Sequence, residues 1–148
     1  MTRSGTAGFT LLELLVVLVV IGLLTALAVP RFAGVLPGAR LEEGARRLAG
    51  GLREARSVAV VDNAEVRFTL DGRAGRYAIG GRPGSEPLPG GMAISLITGT
   101  TEVEDADAGA IRFFPDGSST GGLITLRDGE RTRRVRVDWL TGRVALEE

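Results

Sequence analysis

The chain contains no cysteine and no histidine. Without Cys there is no disulfide, no thiolate nucleophile and no Cys-ligated metal. Without His, the usual general base near neutral pH and the commonest metal ligand are both missing. Lysine is absent too: all 18 basic residues are Arg, and 18 acidic residues balance them to a net charge of zero. Nothing in the sequence accounts for the exclusive use of Arg. The balance argues against a uniformly basic nucleic-acid binder. An enzyme would have to work with carboxylates, hydroxyls and arginines alone. The length of 148 residues fits one domain with at most a short appendage. Gly, by contrast, is abundant at 22 residues, with six Pro, more than a helical bundle would need.

The apolar residues are unevenly placed. Phe9 to Val29 reads FTLLELLVVLVVIGLLTALAV, 21 residues whose only charge is Glu13. As a helix this spans about 30 Å, the thickness of a bilayer's hydrocarbon core. It is apolar all the way round, so it is not an amphipathic surface helix, and a membrane segment is expected. Pro30 follows, where a missing N–H donor and a crowded preceding turn kink or end a helix. Beyond Pro37-Gly38, residues Leu41, Ala45, Leu48, Leu52, Ala55 and Ala59 recur at spacings of three and four. They predict an amphipathic helix over about 39–61 lying on a globular core.

After Asp62-Asn63 the period becomes two. Glu65–Asp71 alternates, Asp71-Gly72 signals a turn, and Arg76–Ile79 reads as the returning strand. Residues 80–91 read as a Gly/Pro-rich loop, Met92–Ile97 as a short strand, 98–109 as an acidic loop and Ile111–Phe114 as a strand stopped by Pro115-Asp116-Gly117. Three more strands are expected at Leu123–Arg127, Arg133–Trp139 and Arg143–Leu146, with Val135, Val137 and Trp139 on one face. Short strands and tight turns indicate antiparallel sheet, so the fold class is α+β.

Two processing readings of the N-terminus are open. Ala26-Leu27-Ala28 fits the small-x-small site of a secretory signal peptide, but Glu13 interrupts the apolar stretch and the run is longer than the usual signal core. Alternatively, the short leader MTRSGTAG, the Gly8-Phe9-Thr10-Leu11-Leu12-Glu13 junction, the apolar helix and the later Pro30 resemble the class III signal of type IV pilins and type II secretion pseudopilins. In the second half, Ile111–Gly122, the strand from Leu123 and Val137-Asp138-Trp139-Leu140-Thr141-Gly142-Arg143-Val144 resemble the minor pseudopilin H branch, the GspH/FimT group of type IV pilin-like proteins.

The resemblance implies a type IV pilin-like fold: a long N-terminal helix, half transmembrane and half amphipathic, packed on an antiparallel β-sheet or sandwich domain. Residues 1–8 would be a leader removed by prepilin peptidase, 9–29 the transmembrane and filament-core helix, 30–62 the amphipathic helix and 63–148 the periplasmic β-rich domain. Cleavage would fall between Gly8 and Phe9, with N-methylation of Phe9. Glu13 would register assembly: a carboxylate at that depth costs on the order of 3 kcal/mol on insertion scales, and the Phe9 α-amino group of a neighbouring subunit would neutralise it. Pro30 would kink the helix. Implied partners are other minor pseudopilins, the major pseudopilin, the prepilin peptidase-methylase, the inner-membrane assembly platform and, before assembly, membrane lipid. The implied location is the inner membrane, single-pass, with the C-terminal domain in the periplasm, then the pseudopilus. The alternative function is a FimT-like minor pilin for pilus priming or DNA uptake.

Three clusters could be read as chemistry instead. Asp116, Ser118, Ser119 and Thr120 share a Gly-rich loop, but no His or Lys is present to activate a hydroxyl, and the loop lacks the phosphate-cradling G-x-x-x-x-G-K-S/T pattern. A turn is expected there, with no catalytic residue. Glu102, Glu104, Asp105 and Asp107 match no EF-hand spacing, so neither metal ligand nor cofactor is expected. Arg127, Arg131, Arg133, Arg134 and Arg136 could meet phosphates, but residues 127–148 hold six arginines against five acids, and DNA is not an expected partner.

Overall fold

A computed structural model of the chain describes residues 10–33, 35–98, 103–105 and 108–147, with side chains described over 10–24, 38–98 and 108–147. The chain divides between Leu36 and Pro37 into two units. The first contains helix α1 (Leu11–Ala33). Pro30 falls inside α1, which continues to Ala33, so the helix does not end at that residue.

Helix α2 (Val35–Val61) enters the second unit and supplies its spine. Leu41, Ala45, Leu48, Leu52, Ala55 and Ala59 are all buried, as their spacing of three and four requires of one helix face. The outer faces carry Glu42–Arg46 and Glu43–Arg47 ion pairs one turn apart, each contributing a few tenths of a kcal/mol at an exposed site. The helix ends at Val61, and the chain turns away at Asn63, whose φ of 48° is the left-handed conformation tolerated best by Gly and Asn. There Ala64 N–H donates back to the Ala59 carbonyl at 3.2 Å.

Among the described residues nine strands follow, forming two antiparallel sheets. The first has the order β3 (Glu86–Pro87), β2 (Arg76–Ile79), β1 (Val66–Asp71), β6 (Ala108–Phe113) and β5 (Val103–Asp105). The second runs β4 (Ala93–Thr98), β7 (Gly122–Asp128), β8 (Arg131–Val137) and β9 (Val144–Glu147). The inner faces of both sheets and the apolar stripe of α2 meet in one core. Its largest fully buried members include Phe68, Phe113, Leu48, Leu52, Ile111 and Ile124. Truncating such a Leu to Ala costs about 2–5 kcal/mol, because the cavity left behind collapses only in part.

The expected strands are present, with local differences. The 80–91 segment contains the two-residue strand β3, and β5 lies within the stretch expected to be an acidic loop. Strand β6 begins at Ala108, three residues early, because Ala108, Gly109 and Ala110 pair with Asp71, Leu70 and Thr69 of β1. Strand β8 ends at Val137. Trp139 therefore does not continue the buried face of Val135 and Val137; it is exposed.

Candidate assembly interface

Helix α1 starts with a side-chain cap. Thr10 Oγ1 accepts a hydrogen bond from Glu13 N–H at 3.2 Å, while the Thr10 carbonyl accepts from Leu14 N–H at 3.2 Å. Thr10 is thus the N-cap and Glu13 the third helical residue, where unpaired backbone N–H groups favour a carboxylate. The signal was available in the sequence as Thr-x-x-Glu ahead of an apolar run. The motif reading gave Thr10 no part in this turn. Gly8 and Phe9 lie outside the described residues, as does the Pro30 side chain.

From Leu11 to Leu24 the helix presents apolar side chains in every direction. Its large ones stand 46–87% exposed. A single copy of the chain leaves them in contact with water, an arrangement that marks a lipid- or protein-binding surface. Among the described residues no helix is long and apolar enough to cross a membrane; the apolar sequence 9–29 runs past the described side chains at both ends.

The second unit brings together the loop and turn that the sequence singled out. Ser119 is buried and cross-links them: its N–H donates to the Trp139 carbonyl at 2.8 Å, and its Oγ donates to the Asp138 carbonyl at 3.0 Å and accepts from Gly121 N–H at 3.0 Å. Thr120 N–H donates to the Arg112 carbonyl at 2.9 Å, and Arg112 N–H donates to Thr120 Oγ1 at 3.0 Å. Asp116 Oδ1 accepts from both the N–H and the hydroxyl of Ser118. The Ser118 hydroxyl bond, more than the backbone one, holds the Asp116 carboxyl below its ordinary value of 3.8. Asp138 does the same for its own turn: Thr141 Oγ1 and N–H each donate to Oδ1 at 2.8 Å, and the Asp138 carboxyl is likewise held low. The Ser119 and Thr120 hydroxyls thus hold backbone, while those of Ser118 and Thr141 donate to the carboxylates of Asp116 and Asp138, which also accept from backbone N–H groups.

Arg56 was not among the residues the sequence brought forward. It reaches from α2 to donate from Nε to the Gly117 carbonyl at 3.0 Å, tying helix to loop across 61 positions. In the Arg-rich stretch, Arg136 bonds Glu147 through both Nε and an Nη, and Arg133 Nε reaches Glu42 at 3.3 Å. These bonds keep the Glu147 and Glu42 carboxyls below their ordinary 4.5, Glu42 mainly through Arg46 and then Arg133. Glu102 and Asp107 lie outside the described residues, as do the side chains of Glu104 and Asp105. Among the described residues no group of three His, Cys, Asp or Glu could hold a metal ion.

Residues 44–142 match the family described as type II transport protein GspH, and residues 3–29 match the prokaryotic N-terminal methylation motif. The chain is 38% identical over 144 residues to the type II secretion system protein H of Xanthomonas campestris pv. campestris, covering 96% of this chain and 83% of that protein. Its fold is similar to the type IV minor pilin FimU of Pseudomonas aeruginosa, at a TM-score of 0.58 and 13% identity over 73% of this chain and 88% of that one. It is also similar to the minor pseudopilin EpsH of the Vibrio cholerae type 2 secretion system, at a TM-score of 0.57 and 11% identity over 73% and 96% of the two chains.

Proposed function

The chain belongs to the GspH family of type II transport proteins, and from that premise we propose that it is built into the pseudopilus through α1, with Glu13 as the registering group. It is a minor pseudopilin of the type II secretion system, a structural protein that assembles with other pseudopilins. The observation that carries the proposal is the capped first turn of an exposed apolar helix, with Glu13 as its only charge from Leu11 to Leu24.

Prepilin peptidase would cut between Gly8 and Phe9 and methylate Phe9; the methylation-motif match over 3–29 supports this. The apolar segment 9–29 would hold the chain in the inner membrane, with the β-rich domain in the periplasm. On extraction by the assembly platform, the helix would exchange lipid for the apolar helices of its neighbours. Thr10 fixes the first turn, so Glu13 would offer its carboxylate to the Phe9 α-amino group of the adjoining subunit from a set position. Pro30, inside α1, would bend the helix where it leaves the apolar zone. Neighbours would include the other minor pseudopilins near the tip and the major pseudopilin below.

The FimT-like alternative shares the fold, and the FimU and EpsH similarities differ by only 0.01 in TM-score. The family and the 38% identical relative favour secretion. Internal pairing of Arg133 and Arg136 lowers the charge available to DNA.

Intact mass and N-terminal sequencing of the membrane-extracted protein test the processing; a chain starting at N-methyl-Phe9 is expected. A start at Val29 would mean an ordinary signal peptide. Glu13→Ala should leave cleavage intact but abolish incorporation and secretion, with Glu13→Gln intermediate. Normal secretion by Glu13→Ala would remove the registering role.

A further inference from the structure

The turn Asp138–Gly142 joins β8 to β9 and holds two large apolar side chains outward, Trp139 at 66% and Leu140 at 64% exposure. Their backbone is fixed. Ser119 binds the carbonyls of both Asp138 and Trp139, Thr141 is bonded to the Asp138 carboxylate, and Gly142 N–H donates to the Asp138 carbonyl at 2.9 Å. A rigid, exposed Trp is already ordered for binding, so docking on it forfeits little conformational freedom.

Beside this turn opens a cleft of about 240 Å³ lined by Arg53, Arg56, Gly142, Arg143 and Val144. Three of its five lining residues are arginines. Arg53 donates to the Val144 carbonyl at 3.2 Å and Arg56 to the Gly117 carbonyl at 3.0 Å. Each guanidinium has five N–H donors, so most of this donor capacity faces the cleft or solvent. Among the described residues no carboxylate stands within ion-pair distance of the three, whereas Arg46, Arg47, Arg82, Arg112, Arg133 and Arg136 each have a Glu. Asp138 acts on Arg143 only at longer range, its carboxylate being bonded to Thr141.

We infer that the cleft and the turn together form a docking face for a protein partner, through a segment that places a carboxylate beside an apolar side chain. The carboxylate enters among Arg53, Arg56 and Arg143, where guanidinium forks bind it with paired hydrogen bonds. The apolar side chain covers Trp139 and Leu140. Trp and Arg are the residue types that most often dominate interface energetics. Charge complementarity selects an anionic group, and the cleft's size admits one rather than a row. A nucleic acid would need a track of cationic sites for its regularly spaced phosphates, yet Asp116 and Asp138 border the loop and turn that close the cleft. The inference goes beyond the pseudopilin reading, which assigns no contact surface.

The test is photo-cross-linking in the producing cell, using the full chain with benzoylphenylalanine in place of Leu140 and mass-spectrometric mapping of the adduct. The expected adduct is to a protein, within a few residues of an Asp or Glu on that partner. Its yield should fall at least fivefold with Arg143→Glu or Arg53→Glu and stay unchanged with Arg127→Glu, at the far end of β7. The inference is overturned by no adduct, by adducts to lipid or nucleic acid, or by a protein adduct indifferent to both charge reversals. Thermal melting of each purified variant separates lost docking from lost folding. If one reversal unfolds the domain, the other decides. N-terminal methylation and secretion, read in the parent strain, report on the pseudopilin reading separately.

Discussion

Gly142 lies so close to the Gly117 carbonyl that a Cβ at position 142 would overlap that oxygen. Both residues have positive φ, 60° at Gly142 and 84° at Gly117, and the Arg56 side chain bonds to the same carbonyl. The contact locks the β8–β9 turn to the loop after β6.

Gly142→Ala should therefore be among the most damaging single substitutions in the domain, at about 2–4 kcal/mol from backbone strain plus steric overlap. Gly129→Ala is the control. Its φ is also 60°, but nothing lies within 4 Å of the added Cβ, so only the left-handed penalty of about 1 kcal/mol applies. Urea unfolding of both variants measures the difference. Equal losses would mean that the close approach to Gly117 is not what holds the turn.

Ser119→Ala removes one donor and one acceptor at a buried site, leaving Gly121 N–H without its partner at 3.0 Å. A buried unsatisfied donor costs about 1–3 kcal/mol. Chemical denaturation should show a loss in that range, with Ser118→Ala, whose hydroxyl is only half-buried, affected less. Secretion should track the amount of folded protein and not the presence of the hydroxyl as such. A stable Ser119→Ala variant that fails to secrete would show that the hydroxyl has a further role.

The helical stripe from Leu41 to Ala59 could be read directly, because one buried face imposes a 3.6-residue period on the sequence. Strands β1 and β8 showed themselves through alternation for the same reason. Strands β3 and β5 did not. Two or three residues cannot establish a period, and Ala108-Gly109-Ala110 has poor strand propensity and is placed by its pairing with β1. Pairing itself was not readable: β1 finds β6 some 40 residues away, and β4 finds β7 across the intervening β5 and β6. Arg56 escaped notice because its partner carbonyl is remote in sequence. Alternation placed Trp139 on one strand face with Val135 and Val137, but the strand stops at Val137 and the Asp138 carboxylate turns the chain by capping Thr141. At the N-terminus, the roles expected of Gly8, Phe9 and Glu13 rest on resemblance, whereas the Thr10 cap is seen in the structure.

Acid should weaken the β-rich domain in a defined window. Hydrogen bonds hold Asp116 and Asp138 below 3.8, and Arg partners hold Glu42 and Glu147 below 4.5. A carboxyl whose folded value is depressed contributes its full stability above the unfolded value and loses it as pH falls through the folded one. The denaturation midpoint should thus be flat from neutrality to about pH 5 and drop towards about pH 3. Asp138→Asn keeps an oxygen acceptor for Thr141 but no longer titrates, so its midpoint should drop less over that interval. An identical acid profile for the variant would exclude Asp138 from the response.

Adjacent glycines in α2 should respond with opposite signs. Gly50 faces solvent with nothing within 4 Å of an added Cβ, so Gly50→Ala gains helix propensity alone and should stabilise by about 0.5–1 kcal/mol. Gly51 faces the core: its Cβ would stand 2.5 Å from Tyr77 Cε2 and 3.1 Å from Phe68 Cε2. Those rings are stacked at 5.0 Å between centroids, and both are buried, so neither can swing out without opening the core. Overpacking of about 1–3 kcal/mol should outweigh the propensity gain, making Gly51→Ala destabilising on balance. Thermal melts of the two single variants settle the signs. If Gly51→Ala also raised the melting temperature, Tyr77 would have room to retreat, and the tight seat of α2 on the first sheet would be disproved.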